Sequence, residues 1–185
     1  MRFLVLIFAL LAGTAHADRV CDELWFTRNL VFDRAGYCFG SPLGQQLFDN
    51  GDCTTSQPEL HPMDAALVAE IKQSEAEWEC DLDTSRTDHD FPDLSTWSMM
   101  QDLPVNGGYE SACIGWQTAP RAVRNGHHGQ AGRLGEVREG DGLFFQMLAK
   151  DGYEYVTVLR HDQPVLEGWV AWPKHDPEIC AGWAG

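Results

Sequence analysis

Basic residues are scarce in this 185-residue chain, which has 13 Lys and Arg against 28 Asp and Glu and a formal net charge of −15. A surface of that sign repels phosphate backbones and anionic lipid headgroups. We therefore expect neither nucleic acid nor an anionic membrane surface as a partner. Cationic partners and neutral ligands remain compatible with the charge.

Familiar catalytic and metal-binding motifs are also lacking. No two of the six cysteines have Cys-x-x-Cys spacing, which argues against a zinc knuckle and a thioredoxin-type site, and no Gly-x-Ser-x-Gly occurs. The acidic stretch from Asp81 departs from a calcium loop, because Arg86 and Pro92 stand where glycine and glutamate are required. We expect no cofactor and no metal. A looser cation site within Asp81–Asp93, or one at His127-His128, stays an alternative.

Long apolar runs are missing except at the start of the chain. Residues 3–12 are continuously apolar after Arg2, and Ala15-His16-Ala17 is a small-x-small cleavage site. This pattern predicts a secretory signal peptide over residues 1–17. The run is about half of the ~20 residues that span a bilayer. We expect a periplasmic or secreted protein with no membrane insertion after signal cleavage.

An even number of cysteines in an exported chain indicates disulfides. Composition changes near residue 81, which places four cysteines before the change and two after it. The first four then allow three pairings. We favour Cys38–Cys53 as a local bond, with Cys21–Cys80 and Cys113–Cys180 joining the ends of the two parts.

The spacing of apolar residues predicts an α+β chain. Before residue 81 it indicates three helices: one from Glu23 with Asp22 as its cap, a short one after Ser41-Pro42, and a third over Met63–Trp78. After Cys113, short apolar and β-branched runs alternate with Gly and Asp turns, which is typical of strands. We predict a helical domain at 18–80, an irregular connector at 81–111 and a small β-barrel at 112–185.

Residues 32–36 form a motif together with Arg28-Asn29 upstream and Tyr37 downstream. In these residues the helical part resembles the YARHG family of exported bacterial domains. The resemblance implies no established activity. We expect these motif residues to stabilise the fold and not to bind a ligand: Arg28, Asn29, Phe32, Arg34, Gly36 and Tyr37.

The C-terminal part is similar to bacterial Src-homology-3-like barrels at residues 122–126, 132–141 and 168–170. Together the two parts resemble a group of exported proteins that carry a domain of unknown function. Barrels of this kind bind extended peptides in aromatic grooves. The resemblance makes four aromatic residues our candidate contacts: Tyr153, Tyr155, Trp169 and Trp172.

We therefore expect an exported, non-enzymatic binding protein of the bacterial cell envelope, with a cell-wall fragment or an envelope protein as its partner. Peptidoglycan and envelope peptides are the ligands we favour. One alternative is an inhibitor or interaction module whose acidic surface attracts a basic protein. A second alternative is an envelope hydrolase with an unrecognised carboxylate or histidine site.

Overall fold

The computed structural model describes residues 11–89, 91, 94–173 and 178–185. It divides the chain into two compact units, Met1–Asp93 and Leu94–Gly185. The domain limits drawn from the sequence at residues 18, 80, 111 and 185 stay predictions. Among the described residues, no helix has both the length and the apolar character needed to cross a membrane.

The first unit is helical, as its periodicity predicts. Its described helices are α1 (Leu11–Arg34), α2 (Pro42–Leu47) and α3 (Pro62–Glu77). Ser41 caps α2 by accepting a hydrogen bond from the Gly44 backbone N–H at 3.2 Å. Asp22 does not cap α1, which corrects the expected helix start at Glu23. The helix begins earlier because the preceding residues lack proline and include good helix formers such as alanine and leucine.

Two disulfides close the first unit. Cys21 in α1 is bonded to Cys80 after α3, and Cys38 is bonded to Cys53. This is the pairing favoured from the sequence. The Cys21–Cys80 bond ties α1 to the residues that follow α3. The Cys38–Cys53 bond holds the segment between α1 and α3 against the end of α1.

Motif residues Arg28 and Asn29 make structural contacts within the first unit. Arg28 Nε donates to both carboxylate oxygens of Glu75 at 2.9 and 3.0 Å, which joins α1 to α3. Asn29 is buried and donates to the Trp25 carbonyl one turn earlier at 2.7 Å. The contacts connect α1 to α3 and link successive turns of α1, and the stabilising function expected of these residues stays a prediction.

The other motif residues lie where α1 ends. Phe32 and Tyr37 pack with ring centroids 5.9 Å apart, and Tyr37 packs edge-on against Phe39 at 4.9 Å. Arg34 is exposed in the last turn. Gly36 follows at φ +78°, and its carbonyl accepts from the backbone N–H groups of residues 54 and 55. The turn therefore connects α1 to the segment that carries Cys53.

Gly36→Ala should lower the free energy of unfolding by about 1–2 kcal/mol, because an L side chain is strained at positive φ. Its Cβ would also lie 2.6 Å from Thr54 Oγ1. Gly40→Ala is the control, since nothing lies within 4 Å of the Cβ added there and its φ is not positive. Urea unfolding of the full chain measures both. Equal losses for the two variants would contradict the explanation.

The second unit is built on a seven-stranded antiparallel sheet with the order β3-β2-β6-β5-β4-β1-β7. Its described elements are α4 (Ser95–Ser98), β1 (Asn106–Trp116), β2 (Arg121–Arg124), β3 (Arg133–Val137), β4 (Gly142–Met147), β5 (Tyr153–Arg160), β6 (Gln163–Ala171) and β7 (Cys180–Ala184). Across the described residues no ladder joins β3 to β7, so the sheet is not closed and the predicted barrel is not confirmed. The mixed helix-and-sheet class is confirmed.

The predicted connector is not irregular throughout. Helix α4 and the first half of β1 lie inside residues 81–111. The Gly107-Gly108 pair suggests a loop in the sequence, but it lies within β1, where the register with β4 shifts between Asn106 and Ser111. Gly108 has a φ of +69°, which fits a β-bulge.

The core of the second unit contains the third disulfide. Cys113 in β1 is bonded to Cys180 in β7, again as favoured from the sequence. Both are buried, and they belong to a cluster of interior side chains with Trp116, Val123, Val137, Leu143, Phe145, Val156, Val158, Val170 and Ile179. The bond therefore joins the edge strand β7 to the strand beside it through the hydrophobic core.

An ion pair closes the turn before β4. Asp141 is 4% exposed and accepts from Arg160 Nε at 2.9 Å, from Arg160 Nη2 at 2.7 Å and from the Arg138 backbone N–H at 2.8 Å. Burial on its own would raise the pKa of Asp141, but these donors hold the pKa below its ordinary value. The carboxylate thus stays ionised in the interior.

Candidate functional site

An open groove of about 370 Å³ lies at one end of the sheet in the second unit. Its walls come from the β1–β2 turn, from β2, from the loop after β2 and from the paired ends of β5 and β6. The lining residues are Thr118, Ala119, Pro120, Arg121, Ala122, Arg124, Gly129, Tyr153 and Ala171. None of these is acidic. The groove is therefore a local concentration of positive charge in a chain of net charge −15.

Two polar atoms in the groove wall lack partners. Arg121 Nε and Thr118 Oγ1 are both buried, and neither has a hydrogen-bond partner among the described residues. Buried donors and acceptors are normally satisfied, because leaving one unpaired costs roughly 1–3 kcal/mol. Turning toward the groove would let a ligand satisfy them, so the side chains of Arg121 and Thr118 are candidates for contact with a ligand.

Hydrogen bonds fix two of the segments that form the groove wall. The indole Nε1–H of Trp116 donates to the Ala119 carbonyl at 3.2 Å, which fixes the β1–β2 turn. Arg124 Nη1 donates to the Ala131 carbonyl at 2.7 Å, which fixes the guanidinium against the next loop. On the opposite wall, Tyr153 is paired with Ala171. These contacts give the groove a preformed shape.

The four predicted aromatic contacts lie in different surroundings. Tyr153 is half-buried and lines the groove. Trp172 is also half-buried, but it packs edge-on against Trp116 and Phe145. Tyr155 and Trp169 are each 2% exposed, with ring centroids 5.5 Å apart. Of the four predicted contacts, Tyr153 is therefore the one that lines the groove.

A family model for the Domain of unknown function (DUF4453) matches residues 79–185, which is more than half of the chain. The chain belongs to the DUF4453 family. A YARHG domain is found at residues 6–76, so a YARHG domain precedes the DUF4453 region and the first resemblance is confirmed. No curated protein and no solved structure matches the chain.

In the DUF4453 region, two adjacent histidines lie on the loop that forms part of the groove wall. The His127 backbone N–H donates to Asp102 Oδ2 at 2.9 Å, and His127 Nδ1 lies 3.1 Å from Asp151 Oδ2. His128 Nε2 lies 3.9 Å from Asp102 Oδ2. The His127 ring also packs edge-on against Trp169, with centroids 5.1 Å apart. These contacts anchor the loop on the sheet.

The metal alternatives raised from the sequence find no cluster of ligands. Within the described residues, no group of three or more His, Cys, Asp or Glu side chains is placed to hold an ion. Asp83 accepts from Ser85, and this hydrogen bond lowers the pKa of Asp83. Asp88 is paired with Arg86. Asp90 and Asp93, the remaining acidic members of that alternative, lie outside the described residues.

Sequence reasoning missed Thr118 and Arg121. Arg121 follows a proline and looks like an ordinary exposed arginine in the sequence. Arg121 is distinguished by the lack of a hydrogen-bond partner for its Nε atom among the described residues. That feature is visible only in the folded structure. One signal in the sequence could have pointed to this place. Basic residues are scarce in the chain, yet Arg121 and Arg124 lie within four positions of each other.

Proposed function

We propose that this DUF4453 protein is an exported, non-enzymatic binding protein of the bacterial cell envelope, whose groove holds the peptide part of peptidoglycan or of an envelope protein. The observation that carries the proposal is the groove itself. It combines a preformed wall, an accessible aromatic ring at Tyr153 and polar atoms without partners at Thr118 and Arg121. Binding sites combine these same features.

Three lines of support favour export. The three disulfides are typical of oxidising compartments outside the cytosol. The YARHG domain also suggests an exported protein. The first 17 residues have the charge, apolar run and cleavage motif of a signal peptide. A periplasmic or secreted location follows from these as part of the proposal.

The case for binding rests on what the groove contains. Its lining offers guanidinium, hydroxyl and phenol groups, which recognise a ligand but do not form a nucleophile–base pair. All six cysteines are in disulfides, so none supplies a thiolate. The similarity of residues 122–126 to Src-homology-3-like domains supports peptide recognition, and we propose that kinship for the second unit as well.

Tyr153→Ala should weaken binding of soluble peptidoglycan fragments at least fivefold, because it removes the aromatic wall of the groove. Chemical-shift titration of the full chain measures the dissociation constant. Val165→Ala is the control, since Val165 is an exposed apolar side chain on β6 outside the groove lining. No binding of the fragments at millimolar concentration, or an equal loss in both variants, would contradict the proposal.

The interaction-module alternative has one observation in its favour, the net charge of −15. A basic partner would be attracted over the whole acidic surface, so its association rate would fall steeply with added salt. A peptide held in the groove depends on local contacts, and its association would respond much less to salt.

The hydrolase alternative rests on Glu154, whose pKa is raised by burial. A raised pKa suits a general acid. Tyr109 is coupled to it electrostatically, and burial together with the Glu154 charge raises the pKa of that phenol. Glu154 is not part of the groove lining, so this alternative would require a separate site.

A further inference from the structure

We propose that the groove is a carboxylate-binding site, in which Arg121 and Thr118 bind the free carboxylate of a short peptide while Tyr153 packs against its apolar part. The inference rests on the proposed function and names the chemical group that the groove selects. It follows from the hydrogen bonding of the arginines, from the sign of the local charge and from the size of the groove.

Arg121 is unusual among the arginines of the chain. Its side chain makes no hydrogen bond and no ion pair within the described residues, although the chain has 28 acidic residues. Six other arginines of the described chain pair with carboxylates, namely Arg19 with Glu23, Arg28 with Glu75, Arg86 with Asp88, Arg133 and Arg138 with Glu136, and Arg160 with Asp141. Within the described residues, Arg121 and Arg124 pair with no carboxylate, and both line the groove.

The geometry of an arginine side chain favours a carboxylate as the missing partner. A guanidinium presents its N–H donors in a planar fork that matches two carboxylate oxygens. Arg121 lines the groove and has no carboxylate partner among the described residues, so a carboxylate held in the groove would be the first anion beside its guanidinium. Thr118 lines the same groove and its buried hydroxyl has no partner among the described residues, so a change of its rotamer would let the hydroxyl donate to that carboxylate.

A second cation strengthens the preference for an anion. Arg124 lines the groove, and its hydrogen bond to the Ala131 carbonyl holds its charge in place. The acidic remainder of the chain repels polyanions such as nucleic acid. Salt screens charges that lie more than about 8 Å away, so a small anion beside the two arginines interacts mainly with them. A single carboxylate on an otherwise neutral ligand therefore fits the charge distribution best.

The size of the groove suits a short peptide. Its volume of about 370 Å³ lies at the lower end of the roughly 300–1,000 Å³ that small-molecule sites occupy. Two sources present such a group, namely the stem peptide of peptidoglycan and the C-terminus of an ordinary peptide. Both end in a carboxylate on a short peptide that carries small apolar side chains, and peptide and peptidoglycan probes separate the two sources.

The test compares two matched probes on the full chain. One is an acetylated alanine tripeptide with a free C-terminal carboxylate, and the other is the same tripeptide as its amide. We expect the acid to bind at least tenfold more tightly than the amide and to shift the NMR resonance of the Arg121 Nε–H group. Soluble peptidoglycan fragments form a third arm, and tighter binding than the acid tripeptide would identify the cell wall as the source.

The matched variants are Arg121→Gln and Arg138→Gln. Each removes one positive charge, but Arg138 is exposed and lies outside the groove lining. Arg121→Gln should remove the preference for the acid and leave the melting temperature unchanged or higher, because the Arg121 side chain makes no hydrogen bond and no ion pair with the described residues. Arg138→Gln should keep the preference. Thr118→Val, which keeps all charges, should weaken binding of the acid alone.

The outcomes distinguish this inference from the proposed function. Equal binding of acid and amide, with both lost in Tyr153→Ala, would overturn carboxylate recognition and leave the groove as a peptide site. A lower melting temperature in Arg121→Gln with an unchanged acid preference would show that Arg121 is structural, which also overturns the inference. Failure of all three ligands to bind at millimolar concentration would overturn both.

Discussion

Replacing Cys113 and Cys180 together with alanine is expected to lower the free energy of unfolding of the second unit by about 4 kcal/mol. The bond joins residues 67 positions apart. Cross-linking such a loop restricts the unfolded chain more than a short loop does, and about 4 kcal/mol lies between the values for short and long loops. Both residues are also buried in the core, so the two alanines would leave space among apolar side chains.

Hydrogen exchange of the β5 amides in increasing urea measures this loss in the second unit alone. The double replacement of Cys38 and Cys53 is the matched control, because that bond lies in the first unit and spans 15 positions. It should lower the stability of the first unit by about 3 kcal/mol and leave the β5 amides unchanged. A loss in β5 below about 1 kcal/mol for the Cys113 and Cys180 replacement would contradict the prediction.

Asp141→Asn is expected to lower the free energy of unfolding of the second unit by about 3 kcal/mol at neutral pH. The substitution leaves the shape nearly unchanged but replaces an ionised acceptor of three hydrogen bonds with a neutral amide. Removing one partner of a buried ion pair costs about 3–5 kcal/mol. Glu139→Gln, an exposed acid two residues earlier, is the control and should change stability by less than about 0.5 kcal/mol.

The pH dependence gives this prediction its sign. The folded-state pKa of Asp141 is lowered, so the unfolded state binds the proton more readily and the carboxylate stabilises the fold above its unfolded pKa of about 3.9. That contribution is lost as the pH falls through the lowered folded-state pKa. The difference between the original chain and Asp141→Asn should therefore be constant above about pH 5 and should shrink below pH 4. A difference that stays constant down to acid pH would contradict the assignment.

Local patterns in the sequence predicted most of the elements. The helix over Met63–Trp78 appears as α3, and the Ser41-Pro42 start of α2 is where it was expected. These features depend on neighbouring residues alone, since a cap and an apolar period are contained in one segment. The start of β1 was missed for the opposite reason. Gly107-Gly108 resembles a loop locally, and only pairing with β4 makes it part of a strand.

Closure of the sheet could not be decided from the sequence. Strands of open and closed sheets have the same alternation and the same turns, and the difference lies in whether the first and last strands pair. Here β3 and β7 are the two edges of the described sheet. Strand β3 pairs with β2, and β7 pairs with β1 from the other end of the unit. No single segment of the sequence encodes whether the two edge strands also meet.

The candidate site was predictable only in part. Tyr155 and Trp169 were chosen as surface aromatics, but they are direct partners in the β5–β6 ladder and share one face. That face is covered there, because the Trp169 indole N–H donates to the Asp102 carbonyl at 2.8 Å and His127 packs on the same ring. Tyr153 shares the face two residues earlier and borders the groove. Long-range contacts, and not alternation, decide which of the two tyrosines a ligand can reach.

The register of β2 also hid the positive side of the groove. Strict alternation would place Arg121 and Arg124, three residues apart, on opposite faces. The register with β3 shifts between Val123 and Arg124, which breaks the alternation. Both arginines consequently border one groove, although their spacing in the sequence argues against it.

The disulfide pairing has a consequence for cleavage of the backbone. Every peptide bond between Cys21 and Cys80 lies inside one covalent ring, and every bond between Cys113 and Cys180 lies inside another. A single cut by a protease in either ring opens a loop but releases no fragment. Between Cys21 and Cys180, only the segment from Cys80 to Cys113 can be cut once to separate the YARHG part from the strands that carry the groove.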